Sequence, residues 1–118
     1  MLAFVETDAA ARTVRRVSLR LTDQPAATCL GDDWKRAEVV QDRGSYVHRP
    51  AYRRHGARLE ILLVNGACDD YDVYAGDLSG AVFRGRHVRF GMRFREVMGE
   101  VSGVLMSDVD KEPRIPGK

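Results

Sequence analysis

The hydrophobic pattern is most regular from His87 to Arg95, where Val88, Phe90, Met92 and Phe94 alternate with His87, Arg89, Gly91, Arg93 and Arg95. At about 100° per residue these apolar side chains would scatter around a helix, whereas at about 180° they share one face. The alternation predicts a strand with one buried face and an arginine-lined face in water. Just upstream, a turn at Gly85-Arg86 would set Phe83 opposite Val88, Ala81 opposite Phe90 and Ser79 opposite Met92, a register that keeps one side small or apolar.

The same short period recurs elsewhere. Val17, Leu19 and Leu21 alternate with Ser18, Arg20 and Thr22. Leu59, Ile61 and Leu63 share one face while Leu62 and Val64 lie on the other, so that strand should be buried on both sides at its end. Asn65-Gly66 ordinarily closes a tight turn, but a two-residue turn there would set Ile61 against Asp70 and Leu62 against Asp69. A longer loop over 65–70 fits better, with a strand resuming at Tyr71-Asp72-Val73-Tyr74. Residues 34–41 read as a strand through Ala37 and Val39, with a short helix capped by Asp33 as the alternative. Val97 to Met106, interrupted by Gly99 and Gly103, suits a bent closing strand.

About six to eight short strands separated by turn signals predict an all-β fold, a small antiparallel β-barrel or sandwich. A parallel sheet covered by helices would have continuously apolar strands instead. The expected organisation is a flexible lead over 1–11, a single β domain over 12–106, and a flexible tail over 107–118, where charges gather with Pro113, Pro116 and Gly117.

With 118 residues, 44% of them hydrophobic, the chain can build one core unaided. A net charge of +2 disfavours a dedicated nucleic-acid binder. No apolar run approaches the ~18 residues of a membrane span, and Met1 to Val5 has neither the length nor the basic lead of a signal-peptide core. Cys29 and Cys68 are the only cysteines, and neither sits in a C-x-x-C, so thioredoxin-like and metal chemistry lack support. Bridged, they would close a loop of about forty residues, worth about 4 kcal/mol in the chain-entropy treatment. A bridge implies an oxidising compartment, periplasmic or secreted; two reduced core cysteines would imply the cytoplasm.

Each cysteine precedes acids and an aromatic: Asp32, Asp33 and Trp34 after Cys29, and Asp69, Asp70 and Tyr71 after Cys68. A bridge would gather Trp34, Asp33, Asp69, Asp70 and Tyr71 at one end of the barrel, a candidate site for a ligand or a basic partner group. Asp72 and Asp77 could join them, although the D-x-D-x-D-G spacing of a calcium loop is missing. The opposite charge concentrates in Arg43 to Arg58, where Arg49, Arg53, Arg54 and Arg58 mingle with Tyr46 and Tyr52 and no acid intervenes. Arginines beside aromatics are what an anion-binding surface uses. His48, His55 and His87 share no metal-ligand spacing and are expected at the surface. Ser79 lies in Gly76-Asp77-Leu78-Ser79-Gly80, which is not a G-x-S-x-G elbow. No catalytic residue, metal or cofactor is assigned.

Two short motifs resemble known barrels. Gly31-x-x-Trp34 is similar to the G-x-W that opens lipocalin and avidin barrels, with one residue more between the two. Arg12-x-x-x-Arg16 with Asp77-x-Ser79 resembles the PilZ cyclic-dinucleotide barrel, with Val82 at the place of the glycine that ends the second motif. Neither is taken as a family assignment. The sequence supports a non-enzymatic binding barrel of an exported or cell-envelope protein, recognising a protein or small ligand at a loop-bearing end. The alternative is a cytosolic barrel that binds an anionic ligand, nucleotide-like or nucleic acid, through its arginine-rich segments.

Overall fold

The computed structural model describes residues 1–44, 46–66 and 68–106. All its regular elements are strands: β1 (Leu2–Thr7), β2 (Thr13–Thr28), β3 (Gly31–Asp42), β4 (Ala51–His55), β5 (Arg58–Leu62), β6 (Tyr71–Ser79), β7 (Val82–Phe90) and β8 (Arg95–Leu105). Each strand pairs antiparallel with the next, and β8 returns to pair with β1, closing an eight-stranded up-and-down barrel. Closure pairs the first strand with the last, so neither is a free edge; the seam between β3 and β4 is short, with Lys35 paired to Tyr52 and Arg36 to Ala51. No described helix is long and apolar enough to cross a membrane.

The inward faces follow the two-residue period. Leu2 and Phe4 of β1, Val17 and Leu19 of β2, Leu59 and Ile61 of β5, Tyr74 and Leu78 of β6, and Phe83 of β7 are buried in one cluster. A barrel of this size has an interior that side chains can fill. Phe4 packs edge-on to Tyr74 and Phe83 at ring-centroid distances of 5.2 and 5.3 Å. Room for its ring comes from Gly103, the residue paired with both Phe4 and Phe83, where an added Cβ would sit 3.0 Å from the Phe4 ring. Gly76 and Gly85 face one another across β6 and β7 so closely that a Cβ on Gly85 would run into the Ala75 carbonyl.

A second cluster lies on the outer wall. Trp34, Ala51, Leu62 and Val73 are buried there, with Ala26, Leu30, Tyr71 and Phe90 against them. The pairing of β2 with β3 breaks between Leu21 and Pro25, and the distal half of that hairpin folds over the outside of the barrel. The Asn65 side-chain amide donates to the Ala27 carbonyl at 2.9 Å, and a Cys29–Cys68 disulfide with a Cα–Cα distance of 5.7 Å pins the hairpin to the β5–β6 loop. Arg53 lies 4.7 Å above the Trp34 ring and completes the cover. The two-sided burial of Leu62 expected from sequence is accounted for by this outer cluster.

Several expectations need correction. The Val88-to-Phe94 alternation does not form one strand: β7 ends at Phe90, a short turn follows, and Met92 is 83% exposed. The amide of Gly91 donates to the Phe94 carbonyl across that turn, so Met92 and Phe94 leave the sheet before reaching a buried face. Gly85-Arg86 is not a turn; it lies inside β7, and the reversal falls at Gly80-Ala81, where Gly80 adopts φ 60 and Leu78 pairs with Phe83. Glycine at 85 answers a close approach between strands rather than a turn. Residues 1–11 are not a loose lead, because Leu2, Phe4 and Glu6 alternate inward as β1, which β2 and β8 flank. His87, expected at the surface, is 2% exposed. The proposed tail over 107–118 lies outside the described residues.

Candidate functional site

One end of the barrel carries the β1–β2, β3–β4, β5–β6 and β7–β8 connections. Among the described residues, three non-glycine residues hold left-handed backbones, and all lie in these loops: Ala11 at φ 62, Arg49 at φ 50 and Asp69 at φ 71. Such conformations cost of order 1–3 kcal/mol each and persist where the surroundings enforce them. In the β1–β2 turn Asp8 supplies that enforcement, its carboxylate accepting from the amides of Ala10 and Arg12 at 2.9 and 3.0 Å.

Just below these loops the inward-facing positions become ionisable. Glu6 follows Leu2 and Phe4 on β1, Arg15 precedes Val17 on β2, Asp72 precedes Tyr74 on β6, and His87 follows Phe83 and Gly85 on β7. Register brings them together, since Glu6 pairs with Arg15 and Tyr74 pairs with His87. His87 pairs with Gly99 on β8, where an added Cβ would run into the Thr7 carbonyl and crowd the Glu6 side chain.

Hydrogen bonds join the group into one network. His87 Nδ1 lies 2.8 Å from Glu6 Oε2, and Nε2 lies 2.8 Å from Asp72 Oδ1. Glu6 Oε1 accepts from Arg15 Nη1 at 2.7 Å and from the Tyr74 hydroxyl at 2.9 Å. The side chains of Glu6 and His87 are each 3% exposed. An ionised carboxylate only accepts, so a ring held between two of them must donate from both nitrogens, which makes His87 an imidazolium. Burial alone would lower the His87 pKa, but the Asp72 and Glu6 carboxylates overcome it and hold it above the ordinary value. Burial likewise opposes ionisation of Glu6 and Asp72, yet their bonds to His87 prevail and both sit below the ordinary carboxylate range. Burial, followed by the facing Glu6 charge, pushes the Tyr74 hydroxyl well above the usual tyrosine range.

This network floors an open cleft of about 530 Å³ whose walls include Arg15, Tyr46, Arg89, Val14 and Met98. Met98 is the extra residue where the β7–β8 register shifts, and the bulge turns it toward the mouth. Burial, followed by the neighbouring Asp72 carboxylate, raises the Tyr46 hydroxyl pKa well above the usual range. Its ring lies 4.0 Å from the Arg15 guanidinium. Arg89 forks onto Asp70 through bonds of 2.9 and 2.8 Å. The arrangement is a neutral, internally satisfied polar floor, with both nitrogens of its only imidazole engaged.

The residues singled out from sequence are dispersed. Asp69 and Asp70 lie in the β5–β6 loop, and Tyr71 opens β6 and packs with Trp34 in the outer-wall cluster. Asp33 and Trp34 belong instead to the outer-wall hairpin, where Asp33 pairs with Arg53 at 3.3 Å and His55 at 3.4 Å. The bridge forms, but Asp33 and Asp70 turn to different cations, Arg53 for Asp33 and Arg89 for Asp70. Among the described residues no group of three or more His, Cys, Asp or Glu side chains is placed to hold a metal ion. The arginine-rich segment is divided as well. Arg53 bonds Glu60 at 2.8 Å, Arg54 donates to the Gly56 carbonyl, Arg49 lies in the β3–β4 loop, and Arg58 borders an outer groove beside Phe90 and Phe94.

Glu6 and Arg15 were missed because each alone looks like a polar strand residue, and His87 because a lone histidine has no spacing to read; Asp72 was considered only with the acids near the bridge. The usable signal was positional: Glu6, Arg15 and Asp72 each stand two residues from an apolar inward position, Phe4, Val17 and Tyr74, near the end of the strand, and His87 continues the inward face of Phe83 and Gly85. Gly31 and Trp34 open the third strand rather than the first, so the G-x-W likeness does not carry to this barrel's topology. Comparison with family models, curated protein sequences and solved structures found no match to this chain.

Proposed function

We propose that this protein is a non-enzymatic binding barrel that takes a small ligand at its loop-bearing end, in the cleft above Glu6, Asp72 and His87. The observation that carries this reading is a nearly solvent-free ionised network lying directly beneath an open cleft. Buried charge is expensive to assemble and is not needed to stabilise a barrel already filled by Phe4, Tyr74 and Phe83. Its use is to hold Arg15, Tyr46 and Asp72 rigidly at the cleft, which favours binding by lowering the cost of ordering. Binding is preferred to catalysis because His87 donates from both nitrogens and so offers no free base. The Cys29–Cys68 bridge supports an exported or cell-envelope setting.

The test is a fragment panel followed by amide-shift mapping in labelled protein. Hits should perturb Val14, Arg15, Tyr46, Arg89 and Met98 together. Hits gathering at Phe90 and Phe94 on the outer groove, with the mouth silent, would remove this reading.

A further inference from the structure

Beside the cleft runs a second one of about 360 Å³, and the two share Val14, Arg15 and Tyr46 as a common wall. The second is lined otherwise by Thr13, Arg16, Arg43 and Gly44, with no acid among the described residues. The charge accounting of the two halves differs. In the first, Arg15 answers Glu6, Arg89 answers Asp70, His87 answers Asp72, and Asp8 on the rim is answered by Arg12. In the second, Arg16 and Arg43 are exposed and have no ion-pair or hydrogen-bonding partner among the described residues. The first cleft is therefore neutral at its floor, and the adjoining one carries two uncommitted guanidiniums. Val14 and Tyr46 line both and Met98 lines the first, with Val14 49% and Met98 44% exposed.

We infer that the ligand is a small amphipathic organic anion, with a dianionic head such as a phosphate monoester on Arg16 and Arg43 and an apolar or aromatic body along Val14, Tyr46 and Met98. This rests on the binding role proposed for the mouth and adds the chemical class of its ligand. A phosphate monoester carries about −1.5 to −2 charges near pH 7 and three acceptor oxygens, matching two planar forks. A carboxylate offers one charge and two oxygens, and would leave one guanidinium unmatched. The Arg15 guanidinium stacked on Tyr46 presents a flat wall at the junction, on which a ring can lie.

The experiment uses the full chain with its disulfide intact, and calorimetric titration with phenyl phosphate, benzoate, inorganic phosphate, phenol and trimethylphenylammonium. Phenyl phosphate should bind most tightly, weaken as salt rises, and shift the amides of Val14, Arg15, Arg16, Arg43 and Tyr46. Arg16→Ala and Arg43→Ala should each weaken it about tenfold, as expected for losing a charge-assisted bond at an exposed site. Both positions are exposed, so unchanged Trp34 emission should verify the fold of each variant. Phenol or trimethylphenylammonium binding the mouth as tightly as phenyl phosphate, indifferent to both substitutions, would overturn the anionic class while leaving the mouth reading standing. Equal affinity for inorganic phosphate and phenyl phosphate would overturn the amphipathic body. Preference for phosphatidic-acid vesicles or a single-stranded oligonucleotide over phenyl phosphate would overturn a small soluble ligand. Shifts confined to residues away from Val14, Arg15 and Tyr46 would overturn both this inference and the mouth site.

Discussion

Glu6→Gln preserves shape while deleting one charge from a side chain only 3% exposed. In the native protein Oε1 accepts from Arg15 and Tyr74, and Oε2 accepts from His87. Glutamine keeps a single acceptor oxygen, so its amide nitrogen must point a donor either at the imidazolium or at the guanidinium and hydroxyl. Either orientation breaks a buried bond and leaves Arg15 and His87 with Asp72 as the only carboxylate in the network. Removing one partner of a buried ionic group costs about 3–5 kcal/mol. Domains of this kind hold about 5–15 kcal/mol in total, so the loss should be a large share. The melting temperature should fall by about 10–20 °C, and the urea midpoint by about 1–3 M. Urea unfolding can be followed by the fluorescence of Trp34, the sole tryptophan. Glu100→Gln is the control, because its pair with Arg86 joins side chains 69% and 61% exposed and should contribute less than about 1 kcal/mol. If Glu6→Gln costs no more than Glu100→Gln, the network is not an ionised, closed unit and the reasoning fails.

The network should also shape stability against pH. His87 has a raised folded pKa, so its contribution is complete below about pH 6.5 and lost as pH rises through the folded value. Glu6 and Asp72 have lowered folded values, so theirs is present above about pH 4–4.5 and lost on acidification. Urea midpoints should form a plateau with an alkaline decline that His87→Gln abolishes; an identical decline in that variant would count against it. Reducing Cys29–Cys68, separated by 39 positions, should cost up to about 4 kcal/mol and move Trp34 emission to the red as the outer hairpin loosens. Unchanged emission after complete reduction would show that the bridge does not hold the hairpin. Gly85→Ala should unfold the barrel or destabilise it by several kcal/mol, since its Cβ meets the Ala75 carbonyl of the neighbouring strand. A melting temperature within a few degrees of the parent would mean that β6 and β7 separate easily.

Local periodicity was enough to determine the all-β class, because whether a side chain faces in or out of a strand depends only on its immediate neighbours. Val17 with Leu19, and Leu59 with Ile61, are buried for that reason. The long loop before Tyr71 was legible too, since acids opposite Ile61 and Leu62 would have broken the burial pattern. Hairpin position was less secure: Gly85 looks like a turn residue, and only the close pairing with Gly76 shows why glycine is needed inside β7. The cysteine pair suggested a bridge, but not that it would fasten a folded-back hairpin over Trp34. Least legible was the mouth. Glu6, Arg15, Asp72 and His87 come from β1, β2, β6 and β7, and become neighbours only when β8 closes onto β1 and aligns the registers. A sequence records which residues can ionise. Which of them share one buried site, and therefore which charges each must answer, was decided by barrel closure.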